Sequence, residues 1–120
     1  MKTSSCKAKG RKLQYWVAEQ IASLLGVEFN QQDDLCPIHS REMGQAGSDV
    51  YIRSKELATK FPFDVECKNT ETVSLYKYIE QAKSNTKKGN QWLVVHKKNN
   101  SKPVVILDAE YFFRKCINNK

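Results

Sequence analysis

The sequence predicts an α/β fold, a central mixed β-sheet with helices packed against it, on three observations. Apolar residues recur at helical spacing from Arg11 to Leu25 and again from Thr72 to about Lys87. Two short segments between them, Asp49–Ile52 and Phe61–Lys68, alternate apolar and polar side chains as strands do. Two further apolar runs, Gln91–His96 and Pro103–Leu107, are joined by a turn of Lys, Asn and Ser. The order helix, strands, helix, strand pair, helix calls for mixed connections and therefore a mixed sheet.

The first ten residues are rich in Lys, Ser and Thr and read as a mobile basic arm. In the first helix Leu13, Trp16, Val17, Ile21, Leu24 and Leu25 form the apolar set, and Gly26 is a natural stop. With an advance of ~100° per residue, Leu13, Val17 and Leu24 centre the buried stripe, and Gln14 lies on its flank. Glu19 falls about 150° from that centre and should face solvent. Val27–Phe29 reads as the start of a strand, and Ser40–Ser48, with two glycines and no periodicity, as a loop.

On the strand from Asp49, Val50 and Ile52 share one face and Asp49 and Tyr51 the other. After a polar turn, Phe63, Val65 and Cys67 share a face of the next strand, opposite Asp64, Glu66 and Lys68. Pro62 stands at its start, where a missing N–H does least damage. Leu75, Tyr78, Ile79 and Ala82 stripe the second helix, with Gln81 on its shoulder, and Gly89-Asn90 ends it. The last two runs read as buried strands. Asp108 is placed to cap a final helix carrying Tyr111, Phe112, Phe113 and Cys116.

The 120 residues suit a single domain over 1–120, and 40% hydrophobic content excludes wholesale disorder. A net charge of +7 points to an anionic partner, nucleic acid first and an acidic membrane surface second. No run is long and apolar enough to span a bilayer, and the polar N-terminus lacks a signal region, so a cytoplasmic location and no membrane partner are expected. Cys6, Cys36, Cys67 and Cys116 follow no disulfide spacing, which fits reduced thiols.

The chemistry-bearing pattern is Asp49 on one short strand and Glu66-Cys67-Lys68 on the next. Paired strands lie about 5 Å apart, so their polar faces can meet. Two carboxylates that converge repel unless a cation lies between them, and Mg²⁺ prefers such oxygen ligands while keeping several waters. The ion stabilises charge developing on phosphorus and lowers the pKa of a bound water. Lys68 is placed to hold that water and counter the charge. The backbone carbonyl of Cys67 is a further ligand, with its thiol directed into the core.

Asp49, followed after sixteen residues by Glu66-Cys67-Lys68, resembles the D…E-x-K signature of the PD-(D/E)XK nuclease superfamily. Around it, Lys9-Gly10-Arg11 opens the first helix, Ser40-Arg41 leads through a Gly-rich loop to Gly47-Ser48-Asp49-Val50, and Gln81 follows on the next helix. The layout, over residues 9–115, is similar to Holliday-junction resolvases and small bacteriophage-encoded nucleases. It implies a restriction-endonuclease-like fold, metal ligands at Asp49 and Glu66, a catalytic Lys68, and a catalytic role for Gln81. It also implies DNA contacts by Lys9, Arg11, Ser40 and Arg41. Ser48 stands where the signature has Pro. The resolvases carry a first-helix Glu near the metal; the matching spacing here falls on Gln14, which can hold a metal-bound water, while Glu19 faces away.

The expected function is thus a Mg²⁺-dependent DNA endonuclease, with Mn²⁺ as a substitute, selective for branched DNA such as four-way junctions. Symmetrical cutting of a junction requires a two-fold homodimer. The alternatives are a nicking or flap nuclease of phage replication or repair, and a non-catalytic nucleic-acid binder. Other features have plainer readings. Cys36-Pro37-Ile38-His39 lacks the second ligand pair zinc needs and reads as a loop cysteine beside an exposed histidine. His96 reads as structural or DNA-facing, and Tyr76, Tyr78 and Trp92 as core. Lys87-Lys88 and Lys97-Lys98 read as solvated turn charges able to touch phosphates.

Overall fold

The computed structural model describes residues 3–117. Its elements run α1 (Thr3–Leu25), β1 (Ile38–Ser40), β2 (Val50–Ile52), α2 (Lys55–Ala58), β3 (Phe63–Asn69), α3 (Leu75–Asn85), β4 (Gln91–Lys97), β5 (Val104–Ile106) and α4 (Ala109–Tyr111). α4 continues as a π-helical segment, Phe112–Ile117. The five strands among the described residues form one sheet in the order β1-β2-β3-β4-β5. In it β3 and β4 are parallel, with α3 as their crossover; the other neighbours are antiparallel. The mixed α/β architecture expected from the sequence is therefore present.

The core is the seam between α1 and one face of the sheet. Leu13, Val17, Ala18, Ile21 and Ala22 pack on Ile38, Val50, Ile52, Val65, Leu93 and Val95. Each Val, Leu or Ile side chain fully removed from water there contributes about 1.5–3 kcal/mol. α3 covers the other face through Tyr78 and Ala82 against Val94. Strand alternation thus sends Val65 toward α1 and Glu66 toward α3.

Several expectations change. Residues 3–10 form the opening turns of α1 and not a mobile arm; residues 1 and 2 lie outside the described residues. The buried arc of α1 is rotated toward Ala18 and Ala22, so Leu24 is 68% exposed and Gln14 lies within the arc, not on its flank. Alanines carry little weight in an apolar count, yet they let a helix approach a sheet closely. Gly26 does end α1, in the left-handed region at φ 73°, with Val27 N–H donating to the Ala22 carbonyl at 3.0 Å.

Val27–Phe29 is not a strand; it packs on the core as irregular chain, with Phe29 against the Tyr15 ring. The missing strand lies later, at Ile38–Ser40, where Ile38 and Ser40 are buried and His39 stands against Tyr51. Cys36 is accordingly buried and not on a surface loop. The polar turn after β2 contains α2, capped by Ser54, whose Oγ accepts from Leu57 N–H at 3.2 Å. β5 is an edge strand with Val104 and Val105 exposed, not a buried one. Tyr76 is exposed and outside the core, whereas Tyr78 is buried. His96 is structural: its Nε2 lies 3.0 Å from both the hydroxyl and the carbonyl of Thr70. Asp108 caps the last helix as expected, accepting from Tyr111 N–H at 2.8 Å.

Candidate active site

Asp49 enters the site from a glycine-shaped bend. Gly47 has φ 116°, and a Cβ there would come within 2.5 Å of the Arg41 guanidinium. Only glycine allows that approach, which lets Arg41 Nε donate to the Ser48 carbonyl at 2.7 Å. Ser48 Oγ in turn donates to the Asn85 carbonyl at 3.0 Å, tying the bend to the end of α3. Asp49 then joins the sheet, its N–H donating to the Val65 carbonyl at 2.9 Å.

The expected convergence is realised across β2 and β3. Asp49 Oδ2 accepts from Cys67 N–H at 2.7 Å, which puts its carboxylate beside the Glu66–Lys68 segment. Glu66 is 3% exposed, and its Oε1 accepts from Asn85 Nδ2 at 3.3 Å. Its Oε2 lies 3.7 Å from Lys68 Nζ, which also stands 5.4 Å from the centre of the Tyr78 ring. The Cys67 thiol packs toward the core, as alternation requires.

The electrostatics are those of two acids short of a counterion. Burial raises the Asp49 pKa, against the lowering effects of the Cys67 N–H and the charges of Lys68 and Arg41. Burial also raises that of Glu66, and the Asp49 charge adds to it; Asn85 and Lys68 offset only part. The Cys67 thiol is pushed well above the ordinary thiol range, first by burial and then by the same two carboxylates. Lys68 and Arg41 together do not offset the desolvation of half-buried Asp49 and buried Glu66. Hard oxygen donors in that arrangement fit a divalent cation.

The other expected residues divide. Gln14 is buried and donates through Nε2 to Ser40 Oγ at 2.9 Å, to the Arg41 carbonyl at 2.8 Å and to the Asp49 carbonyl at 3.3 Å. That nitrogen braces the backbone that carries Asp49. Glu19 is exposed, as its helix phase required. Ser40 is 1% exposed, bonded to Gln14, and borders the same cleft as Arg11 and Arg41.

Arg11 and Arg41 line one cleft of about 300 Å³ beside the Asp49 loop, whereas Lys9 lies elsewhere and donates to Asn99 Oδ1 at 3.3 Å. Arg41 also lies 4.7 Å over the Tyr51 ring and Lys87 5.5 Å, so cations gather on the Tyr51 side of β2. Gln81 is exposed on α3, one turn before Asn85 and on the same side of the helix.

Asn85 is the residue that the sequence reading missed, and its signal was its place four residues after Gln81. Asp64, which shares a face with Glu66, is not part of the site. It accepts from Lys87 N–H and Asn90 Nδ2, both at 2.9 Å, and fastens the α3–β4 turn.

Gln14→Ala should destabilise the fold by about 1–2 kcal/mol, because buried Ser40 Oγ and the Arg41 carbonyl lose a donor. Glu19→Ala should change stability by less than about 0.5 kcal/mol. Urea unfolding of both variants checks this, and equal effects would refute the bracing role.

No curated protein and no solved structure matches the chain. A family model does, over residues 5–120, under the description "Phage putative PDDEXK endonuclease". The five-stranded mixed sheet flanked by helices agrees with a restriction-endonuclease-like domain. The chain belongs to this phage PD-(D/E)XK endonuclease family, whose members are nucleases.

Proposed function

We propose that the chain is a single-domain, Mg²⁺-dependent DNA endonuclease that cuts branched DNA, four-way junctions in particular, as a two-fold homodimer in the cytoplasm of the host cell. The observation that carries the reading is the neighbouring pair of carboxylates, half-buried Asp49 and buried Glu66, with raised pKa values beside Lys68. A protein that only bound DNA would gain nothing from acids where phosphates must approach.

In this reading Asp49, Glu66 and the Cys67 carbonyl hold the divalent ion. When bound, the ion stabilises charge on the scissile phosphate and acidifies a water. Lys68 orients the attacking water through a hydrogen bond and counters the negative charge that grows as the P–O bond breaks. Asn85 holds Glu66 in place, and Gln81, one turn away, faces the same side for a contact with substrate. Arg11, Arg41 and Lys87 meet phosphates without reading bases.

The test is incubation with labelled linear, flap and four-way DNA, with Mg²⁺ or Mn²⁺ and with chelator. Four-way DNA should be cut fastest, and chelator should reduce cutting by about 10³-fold or more. Undiminished cleavage in excess chelator sinks the metal role. Binding with no cleavage under any metal would favour a non-catalytic binder, and preference for the flap would favour a replication or repair nuclease.

A further inference from the structure

A second concave site lies on the α1 side of the sheet. Asn69 follows Lys68 on β3, so its side chain leaves the opposite face from Lys68. There a cavity of about 530 Å³ opens between α1 and the ends of β3 and β4, where Asn69 and Lys97 are register partners. Crevices at the carboxyl ends of parallel strands are common ligand sites, and the volume suits a small-molecule or nucleotide guest.

The wall is chemically selective. Lys9, Lys12 and Lys97 line it, and no acidic residue does among the described residues. Trp16, 43% exposed, adds an aromatic surface on α1 one turn from Lys12. Asn69 Oδ1 is buried and has no hydrogen-bond partner among the described residues. Nothing internal therefore fixes the oxygen end of this amide, an unfavourable state for a buried acceptor, and the residue that carries it lines the cavity. Lys9 is held nearby through its bond to Asn99, itself on the wall.

Three ammonium groups call for a phosphate, an indole calls for a flat ring, and a carboxamide matches the edge of a base. A duplex cannot enter a cavity of this size, nor can a paired base offer its face to Trp16. We propose that this cavity binds one unpaired nucleotide of a DNA strand, with its phosphate on Lys9, Lys12 and Lys97, its base on Trp16 and its base edge at Asn69. The ligand's being DNA rests on the endonuclease reading. The pocket would hold single-stranded DNA next to a branch while the Glu66 face of the sheet engages the scissile strand.

The test is a fluorescence-anisotropy titration with a labelled oligodeoxyadenylate and with a blunt hairpin duplex, all in chelator. Trp16→Ala and Asn69→Ala should each weaken the oligonucleotide about tenfold and the duplex less than twofold. Lys12→Ala should lower the slope of log affinity against log salt for the oligonucleotide by about 0.7. Trp16→Phe, which keeps a ring, should retain affinity within about threefold and guards against a folding artefact.

Equal weakening of both DNAs, or no weakening of the oligonucleotide, would overturn the proposal. Competition by deoxyadenosine monophosphate as strong as by the strand would assign the pocket to a free nucleotide, overturning it equally. Since no arm needs catalysis, a chain that binds the strand but cuts nothing upsets only the endonuclease reading. One that cuts DNA yet ignores the oligonucleotide upsets only this one.

Discussion

Glu66→Gln and Asp49→Asn should each lower DNA cleavage at saturating Mg²⁺ by about 10³-fold or more, with DNA affinity within a few-fold of the parent. Both substitutions keep the side-chain shape and one acceptor oxygen. The amide oxygen introduced in place of the Glu66 carboxylate would still accept from Asn85, and the one in place of the Asp49 carboxylate from the Cys67 N–H. What they remove is the negative charge that a divalent ion requires. Lys68→Ala should cost on the order of 10²–10³-fold, the loss expected when one preorganised donor to developing charge disappears. Affinity should survive because Arg11, Arg41 and Lys87 lie outside the acidic pair. Single-turnover rates beside binding titrations in Ca²⁺ measure both quantities. A variant that folds, binds metal and still cuts within about tenfold of the parent would remove that residue from the mechanism.

The second large effect is a reversal of stability order on adding metal. Burial raises the folded-state pKa of Asp49 and Glu66, so the folded chain holds these protons more readily than the unfolded chain. The sign follows from linkage: the destabilisation is absent below the ordinary carboxylate range and complete above the raised folded values. Metal-free protein should therefore lose stability as pH rises through that window. Near neutral pH in chelator, Glu66→Gln and Asp49→Asn should melt above the parent, by on the order of 1 kcal/mol or roughly 3–6 °C. At about pH 3.5, below the ordinary carboxylate values, the difference should vanish.

Mg²⁺ at about a hundredfold excess over its Kd should then stabilise the parent by about 2.7 kcal/mol and the variants hardly at all. Scanning calorimetry across pH, with and without Mg²⁺, measures the reversal. Parent and variants that respond alike to Mg²⁺ would place the ion elsewhere.

β2 and β3 were the most legible part of the chain because alternation leaves a two-residue signature that a neighbouring strand cannot blur. Val50 and Ile52, then Phe63, Val65 and Cys67, face α1 as their spacing required. The same rule put Glu66 and Lys68 together on the other side. β1 was hidden because it carries one apolar residue, Ile38, beside polar His39 and Ser40, and Pro37 before them reads as loop punctuation. The arc of α1 is obscured in the sequence because its large apolar residues outweigh Ala18 and Ala22 in the helical pattern. Asn85 and the bracing role of Gln14 depend on how helices meet the sheet, which no local pattern carries. The family motif led to Asp49, Glu66 and Lys68, but it also suggested an exposed role for Ser40, which the β1–α1 contact buries.

The Gln14 brace has a consequence for when the chain becomes dangerous to DNA. Its three acceptors lie 26, 27 and 35 residues away, so the loop bearing Asp49 is pinned only after the first helix has docked across the sheet. Contacts between segments so far apart in the chain form after the local turns and hairpins, once the loop-closure entropy has been overcome. A partly folded copy, with β2 and β3 paired but α1 still loose, presents the acidic residues without the scaffold that aims them. In the proposed mechanism, competence to break a phosphodiester therefore depends on α1 having docked, and not on the pairing of β2 and β3 alone.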